Sequence, residues 1–273
     1  MKDINFNFDE ELSIAIWQTP FLDSPDLVLE QMAVQAEAAK MAGADLLVCP
    51  EMIMTGYAIG IHKLRHYDYN DQQNWTLAIA RIAQKNRIAI VYGFPDYERG
   101  PAIYNACQFI SEQGEVLAQY AKTHLFGELD RAQFSAGPII GGNFIWRGWR
   151  VGMLICYDIE FAAAARTLAQ QGIDLLVVPT ANMKHFDQVP QILVPARAYE
   201  NNCYVVYANA VGQESIHGEC IEYGGLSTVA SPLAQLVQAN SEAQLLMVRI
   251  NKKYLCTSRS TSQLKDQRLD LYI

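Results

Sequence analysis

The sequence predicts a mixed α/β domain made of two similar halves. Residues 43–51 read GADLLVCPE and residues 172–180 read GIDLLVVPT, agreeing at the Gly, Asp, both Leu, Val and Pro positions. Each segment closes a strand–helix–strand pattern, and its apolar run has the character of a buried parallel strand. Hydrophobic residues make up 51% of the 273-residue chain and charged residues 18%, which supports a sizeable core.

In chain order, residues 13–18 (SIAIWQ) form a short β-like run. Ser24-Pro25-Asp26 then supplies an N-cap with Pro at the first helical position. Leu29, Met32, Ala36, Ala39 and Lys40 follow at helical spacing, and Gly43 closes the helix in a left-handed conformation. Residues 46–49 are the buried strand. The second copy runs as strand 150–156, helix 160–171 with Gly172 as its cap, and strand 175–178. Between the copies, Asp71 caps a helix carrying Trp75, Ile79 and Ile82, which leads into strand 88–92. Residues 103–110 and 116–120 flank the hairpin signal Glu112-Gln-Gly-Glu115. A helix over 189–202 and strands over 204–209, 228–237 and 245–250 complete the expectation. No linker, repeat array or low-complexity run divides the chain, so residues 1–273 are expected to be a single domain.

Composition excludes several classes. Twenty-one Lys plus Arg against 29 Asp plus Glu leave a net charge of -8, without the basic footprint that nucleic-acid binding requires. Cys49, Cys107, Cys156, Cys203, Cys220 and Cys256 lie far apart in sequence, unlike a disulfide framework, zinc ribbon or iron–sulfur site. His62 and His66 lack the intervening Glu of a helical zinc motif, so no metal is expected. The N-terminal MKDINFNFDEELSIAIW lacks the layout of a secretory signal, and the longest uncharged stretch, 223–241, is too polar to span a bilayer. A cytoplasmic protein with no membrane or nucleic-acid partner is expected.

Ligands of open α/β sheets bind beyond the carboxyl ends of the strands. That rule nominates Cys49-Pro50-Glu51 in the first half and Ile155-Cys156-Tyr157-Asp158 in the second. Halves packed about a pseudo-twofold bring Glu51 and Cys156 towards one pocket. A thiol nucleophile and a carboxylate that takes and returns its proton form a workable pair. Lys122, the only lysine between Lys85 and Lys184, follows a strand and can stabilise an oxyanion. Simpler roles stay open at this point. A strand cysteine is usually a small core hydrophobe, a loop glutamate often caps a helix, and a lone lysine is usually solvated. His124 is an alternative base in a Cys–His arrangement, and Cys49 is assigned to the core.

LLVCPEMIMTGY around Glu51, YAKTHLFGELDRAQFSAG around Lys122 and VGMLICYDIEFAAAARTLAQQGIDLLVVPTAN around Cys156 occur in that order. RAYENNCYVVYANAVG (197–212) and GGLST (224–228) follow. Together these segments resemble the nitrilase superfamily of carbon-nitrogen hydrolases, from Ile14 to about Ile250. The resemblance implies a four-layer αββα sandwich with a core of about 13–250 and a tail of 251–273. It also implies a Glu-Lys-Cys triad in the crevice between the sheets: Cys156 as nucleophile, Glu51 as base and acid, and Lys122 stabilising the tetrahedral intermediate with the backbone N–H of Tyr157. Dimers packed through outer helices, or larger homo-oligomers, are implied as well.

A second family glutamate after the lysine corresponds here to Asp130, with Glu128 as the alternative. Ser231-Pro-Leu-Ala234 stands where members commonly carry an Asp-Pro-x-Gly turn. Cys156-Tyr157-Asp158 is more similar to amidases and carbamoyl-amide hydrolases than to the Cys-Trp-Glu of nitrilases, and KTHLFG…DR is most similar to aliphatic or amino-acid amidases. The implied reaction converts a small amide to carboxylate plus ammonia through a Cys156 thioester, without a cofactor. An N-carbamoyl-amide hydrolase or nitrilase on the same triad is one alternative; a non-catalytic binding or assembly module is another. Tyr57, Asn182, Trp146, Trp149, Phe186 and Tyr199 are candidate pocket walls, with Tyr57, Tyr157 and Asn182 assigned to substrate binding.

Overall fold

The computed structural model describes residues 10–98, 100–216, 218–259 and 263–271. The first half comprises β1 (Glu11–Gln18), α1 (Pro25–Met41), β2 (Leu46–Val48), α2 (Ile61–Leu64), α3 (Tyr69–Asn86), β3 (Ala89–Asp96), β4 (Tyr104–Ile110) and β5 (Val116–Ala121). After the short α4 (Gly127–Arg131), the second half comprises β6 (Asn143–Trp146), β7 (Trp149–Met153), α5 (Ala162–Gln170), β8 (Leu175–Pro179), α6 (Val194–Asn201) and β9 (Tyr204–Ala208). A hairpin of β10 (Val211–Ile216) and β11 (Glu219–Gly224) precedes β12 (Thr228–Ala230), β13 (Gln235–Gln238) and β14 (Gln244–Asn251). Helices α7 (Lys252–Arg259) and α8 (Gln263–Asp266) follow.

Local chemistry sets the helix ends. The Ser24 hydroxyl accepts from the Leu27 amide at 3.4 Å, Pro25 occupies the first turn, and Gly43 at φ +89° ends α1. At α3 the cap is Asp68 rather than the expected Asp71. Asp68 accepts from the amides of Asn70 and Asp71, while Asp71 accepts from the Asp68 amide at 3.0 Å, so Asp71 is the returning member of a capping box.

The two sheets have one topology. The first orders its strands β14-β1-β2-β3-β4-β5 and the second β6-β7-β8-β9-β12-β13, each with three central parallel strands flanked by antiparallel ones. The echoed segments are the central strands β2 and β8. Their shared aspartates do the same work in each half. Asp45 accepts from the Ser13 amide at 2.9 Å and Asp174 from the Arg150 amide at 2.9 Å. Their own amides donate to the Ser13 and Arg150 carbonyls at 2.7 Å, and their carbonyls accept from Ala89 and Tyr204 at 2.9 Å. Each aspartate therefore clips three neighbouring strands together at their starting edge.

Alternation divides the first sheet's buried surface. Leu47, Cys49, Ile90 and Tyr92 pack with Met32, Ala36, Trp75 and Ile79 of α1 and α3. Leu46, Val48, Val91 and Phe109 belong instead to the core shared with Val151, Val177 and Val206 of the second sheet, which also takes in Ala165 and Leu168 of α5 and Ala198 of α6. The order of layers is thus helices, sheet, sheet, helices. Among the described residues no helix is long and apolar enough to cross a membrane.

Several expectations are corrected. Residues 228–237 are two antiparallel strands, because the Ser231 hydroxyl accepts from the Leu233 and Ala234 amides and closes a tight turn. The expected helix 160–171 starts later, at Ala162, after a separate 3₁₀ turn over Cys156–Glu160. The helix over 189–202 begins as a π-helical turn, Val189–Leu193, before α6; Pro190 and Pro195 lack the amides that regular α pairing needs. Cys49, Cys107 and Cys203 are buried as core residues, but Cys220 is exposed on the β10–β11 hairpin. The Cys256 side chain and residues 1–9 lie outside the described residues.

Replacing the nearly buried Asp174 with alanine removes an acceptor for the Arg150 amide and the partner of Lys252 Nζ at 2.8 Å. Asp174→Ala is expected to cost about 1–3 kcal/mol. Urea unfolding checks this, and a midpoint equal to that of the parent protein contradicts the clip.

Candidate active site

Glu51, Lys122 and Cys156 leave the carboxyl ends of β2, β5 and β7 and converge between the sheets. Glu51 is fully buried. Its Oε1 accepts from Lys122 Nζ at 2.8 Å and Asn105 Nδ2 at 2.6 Å, and its Oε2 accepts from the Ala181 amide at 2.8 Å. A close backbone approach holds this turn. A Cβ on Gly93 of β3 would lie 2.3 Å from the Met52 nitrogen and 2.7 Å from the Glu51 Cα, so no side chain fits there. Lys122 has a matching support. The Gly137 amide donates to the Lys122 carbonyl at 2.7 Å, and a Cβ on Gly137 would lie 2.3 Å from the Ala121 oxygen.

Lys122 is fully buried and lies between two carboxylates, donating to Glu51 at 2.8 Å and to Asp130 Oδ2 at 2.7 Å. The same Asp130 oxygen accepts from the Phe126 amide at 2.8 Å, which anchors α4 over the lysine. Glu128 instead points to solvent, with its side chain 90% exposed and paired to Arg131 at 3.0 Å. The structure therefore puts Asp130, not Glu128, beside the lysine. The Tyr57 ring lies 5.4 Å from Nζ and adds a π face to the ammonium.

Charge and burial set the protonation. Burial alone lowers the Lys122 pKa, but Glu51 and Asp130 more than offset it and hold it well above the ordinary value. Burial pushes Glu51 up, and Lys122 pulls back only part of that while Asp130 adds to it. The Cys156 thiol keeps some surface exposure yet is pushed well above its ordinary range, first by desolvation and then by Glu51; Lys122, the Thr180 hydroxyl and the Ala181 amide favour the thiolate.

Cys156 adopts φ +45°, a left-handed conformation unusual for a side-chain-bearing residue and the kind of strain that neighbours must hold in place. Asp158 supplies the restraint. Its Oδ2 accepts from Tyr120 Oη at 2.8 Å and the Ile155 amide at 3.2 Å. Its Oδ1 accepts from the Thr123 hydroxyl and the His124 amide, both at 2.9 Å, and contacts His124 Nδ1 at 2.8 Å. One buried carboxylate therefore ties the Cys156 turn to the lysine strand. His124, the alternative base, is committed to Asp158 and stacked on Phe161 at 3.9 Å.

A narrow cleft opens at Cys156, lined by Tyr57, Phe126, Tyr157, Glu160, Asn182 and Phe186 among others. Asn182 lies at its wall but is engaged locally, donating from Nδ2 to the Phe186 carbonyl at 3.2 Å and from its amide to Asn209 Oδ1 at 2.7 Å. Trp146 and Trp149 are not pocket walls: both are in the intersheet core. Tyr199 is 61% exposed on α6 and likewise lies outside the cleft. Asn105, Ala181 and Glu214 escaped sequence reasoning, as did the supporting roles of Asp158 and Thr180. Glu214 reaches back from β10 to accept from the Tyr57 amide at 3.2 Å, the Ala58 amide at 2.9 Å and Tyr223 Oη, fixing the loop after Glu51. Among the described residues no group of three His, Cys, Asp or Glu could hold a metal ion. The assembled groups are a thiol, a buried carboxylate and a fixed cation.

The family model for carbon-nitrogen hydrolase matches residues 13–258. A protein of Pseudomonas protegens described as "Hydrolase in pqqF 5'region" is 41% identical over 250 residues, covering 89% of this chain and 83% of its own length. An (R)-stereoselective amidase of a Pseudomonas species is 31% identical over 240 residues, covering 87% and 85%. Among solved structures, an amidase from Nesterenkonia superposes with a TM-score of 0.85 at 31% identity, covering 96% of this chain and 95% of that one. Further structures of that amidase, a nitrilase-superfamily member, hold butyramide or show acrylamide added to its active-site cysteine.

Gly93→Ala forces β3 away from the Glu51 turn. A stability loss of about 1–3 kcal/mol is expected, with activity falling further than the folded fraction. Circular dichroism melts beside specific activity check this, and parent-like activity contradicts the close approach.

Proposed function

The chain belongs to the carbon-nitrogen hydrolase family of the nitrilase superfamily, and from that premise we propose that it is a thiol amidohydrolase of small, non-peptide amides. The buried Glu51–Lys122–Asp130 network beside Cys156 carries this reading. Glu51 takes the Sγ proton as Cys156 attacks the amide carbon. The carbonyl oxygen becomes an oxyanion, stabilised by Lys122 and the Tyr157 backbone N–H. Glu51 returns the proton to the nitrogen, ammonia leaves, and a thioester remains on Cys156. Water then attacks the thioester, giving its proton to Glu51. Collapse returns that proton to Cys156 and releases the carboxylic acid. The sum is R–CO–NH2 plus H2O to R–COOH plus NH3, with every step drawing on this chain's own groups.

Asp130 positions Lys122 in this scheme, and Tyr57 and Asn182 contribute to the walls of the acyl site. The Nesterenkonia amidase, with butyramide bound and acrylamide added at its active-site cysteine, supports an amide substrate and a cysteine nucleophile. Carbamoyl compounds and nitriles are the alternatives on the same groups. Carbon dioxide released with ammonia identifies the first; turnover of a nitrile but not its amide identifies the second. Ile192 and Tyr199, exposed on the outer helical layer, offer a surface for a second copy, so a homodimer is the expected assembly in light scattering.

Ammonia release from a panel of small amides is the direct test. Cys156→Ala is expected to lose at least about a thousandfold in kcat. Glu51→Gln should lose roughly 100- to 10,000-fold, and Lys122→Met about 100- to 1,000-fold. His124→Ala should retain more activity than Glu51→Gln; the reverse order makes His124 the base. Because burial raises the Glu51 pKa, the acid limb of kcat/KM is expected above the ordinary glutamate range. Rate is lost as pH falls through that limb, and a limb at or below the ordinary range contradicts Glu51 as the buried base.

A further inference from the structure

Glu160 has no part in the chemistry above, yet it lines the same cleft as Cys156. It ends the 3₁₀ turn that begins at the nucleophile and is half-buried. Its carboxylate makes no hydrogen bond or ion pair among the described residues. Arg197 is a nearby cation, but three of its five N–H donors are directed elsewhere: Nε on the Ile159 carbonyl at 2.9 Å, Nη2 on the Glu160 carbonyl at 2.8 Å and Nη1 on Glu200 at 2.9 Å. Burial raises the Glu160 pKa, while the charges of Lys122 and Arg197 oppose the rise. A carboxyl group has therefore been desolvated beside the nucleophile and left without a partner of its own.

The surroundings suit one kind of partner. Tyr57, Phe126, Tyr157 and Phe186 line the cleft with Glu160. Phe126 meets the rings of Tyr157 and Phe186 edge-on, with centroids 5.3 and 5.8 Å apart, so the aromatic wall is continuous. π faces and an unpaired carboxylate both attract a cation and repel an anion. The charged groups at the cleft and behind it, Glu51, Asp130, Glu160 and Lys122, comprise three carboxyl groups and one ammonium.

We propose that Glu160 selects amides bearing a protonated amine, with its carboxylate and the aromatic wall forming an ammonium subsite beside Cys156. This deepens the amidase reading and rests on it. The products are then an amino acid and ammonia.

Isosteric pairs that differ only in charge test the subsite: β-alaninamide against butyramide, and 4-aminobutyramide against pentanamide. In at least one pair, the parent enzyme should favour the ammonium member about tenfold or more in kcat/KM at pH 7. Glu160→Gln should collapse that preference towards one, mainly through a higher KM for the charged amide. A parent ratio near one, a preference for the neutral amide, or a ratio unchanged in Glu160→Gln overturns the proposal. If no amide is turned over, the amidase reading fails, and calorimetry on Cys156→Ala decides the subsite separately. Tighter binding of the ammonium member, lost in Cys156→Ala/Glu160→Gln, upholds it; equal binding, or none, overturns it.

Discussion

A lysine ammonium buried between two carboxylates is the constraint on which the site depends. Lys122 is inaccessible to solvent and donates to Glu51 and Asp130 at 2.8 and 2.7 Å. Removing three ionisable groups from water is costly, and only close, multiply hydrogen-bonded geometry compensates. The neighbouring backbone is shaped accordingly. Asn105 and the Ala181 amide satisfy Glu51, the Phe126 amide satisfies one oxygen of Asp130, and Gly93 and Gly137 let strands and turns approach where a methyl group could not. The same groups that make the burial tolerable leave each charge with one fixed direction.

Pseudo-symmetry explains where this cluster sits. The central strands β2 and β8 carry the echoed segments, and the echo diverges at its last position, Glu51 in one and Thr180 in the other. Those equivalent residues meet, with the Glu51 amide donating to the Thr180 carbonyl at 3.3 Å. The approximate twofold therefore passes through the site itself. The first half supplies the carboxylate there, and the second supplies a hydroxyl and an amide that face Cys156. Two similar halves make one asymmetric centre because their equivalent strand ends carry different side chains.

Residues that repeat or sit at strand ends were legible in the sequence. The echo revealed the paired halves, and ordered motifs around Glu51, Lys122 and Cys156 pointed to groups that the fold brings together. Asp130 and Glu128 stay alternatives in the sequence, and the fold decides between them: two residues apart on a helix they face different ways, and only Asp130 reaches the lysine. Supporting residues were not legible. Asn105, Asp158 and Glu214 act on partners 54, 34 to 38 and 156 to 157 residues away, and no local pattern marks such pairings. Aromatic character also misled, since a tryptophan on a strand has the same composition whether it faces the intersheet core, as Trp149 does, or a cleft. Asp71 misled for a different reason: both members of a capping box are carboxylates, and sequence alone does not say which one leads.

The electrostatics favour a mechanism in which buried charge is conserved. With Cys156 held as a neutral thiol by desolvation and by Glu51, the resting cluster is two carboxylates and one ammonium, a net charge of -1. Forming a free thiolate with its proton lost to solvent would raise that to -2 in a site of low polarity, which the elevated thiol pKa opposes. In the proposed attack, the proton passes to Glu51 as the carbon–sulfur bond forms, so a new oxyanion replaces the carboxylate charge. The total stays at -1, and the negative charge moves from Glu51 to an oxygen that Lys122 can also meet. Lys122 need not move or change protonation, and its attraction to Glu51 is exchanged for attraction to the intermediate. Asp130 keeps the ammonium fixed during that exchange. Under that proposal the two carboxylates do different work: Glu51 carries the travelling proton, while Asp130 maintains the field in which it travels.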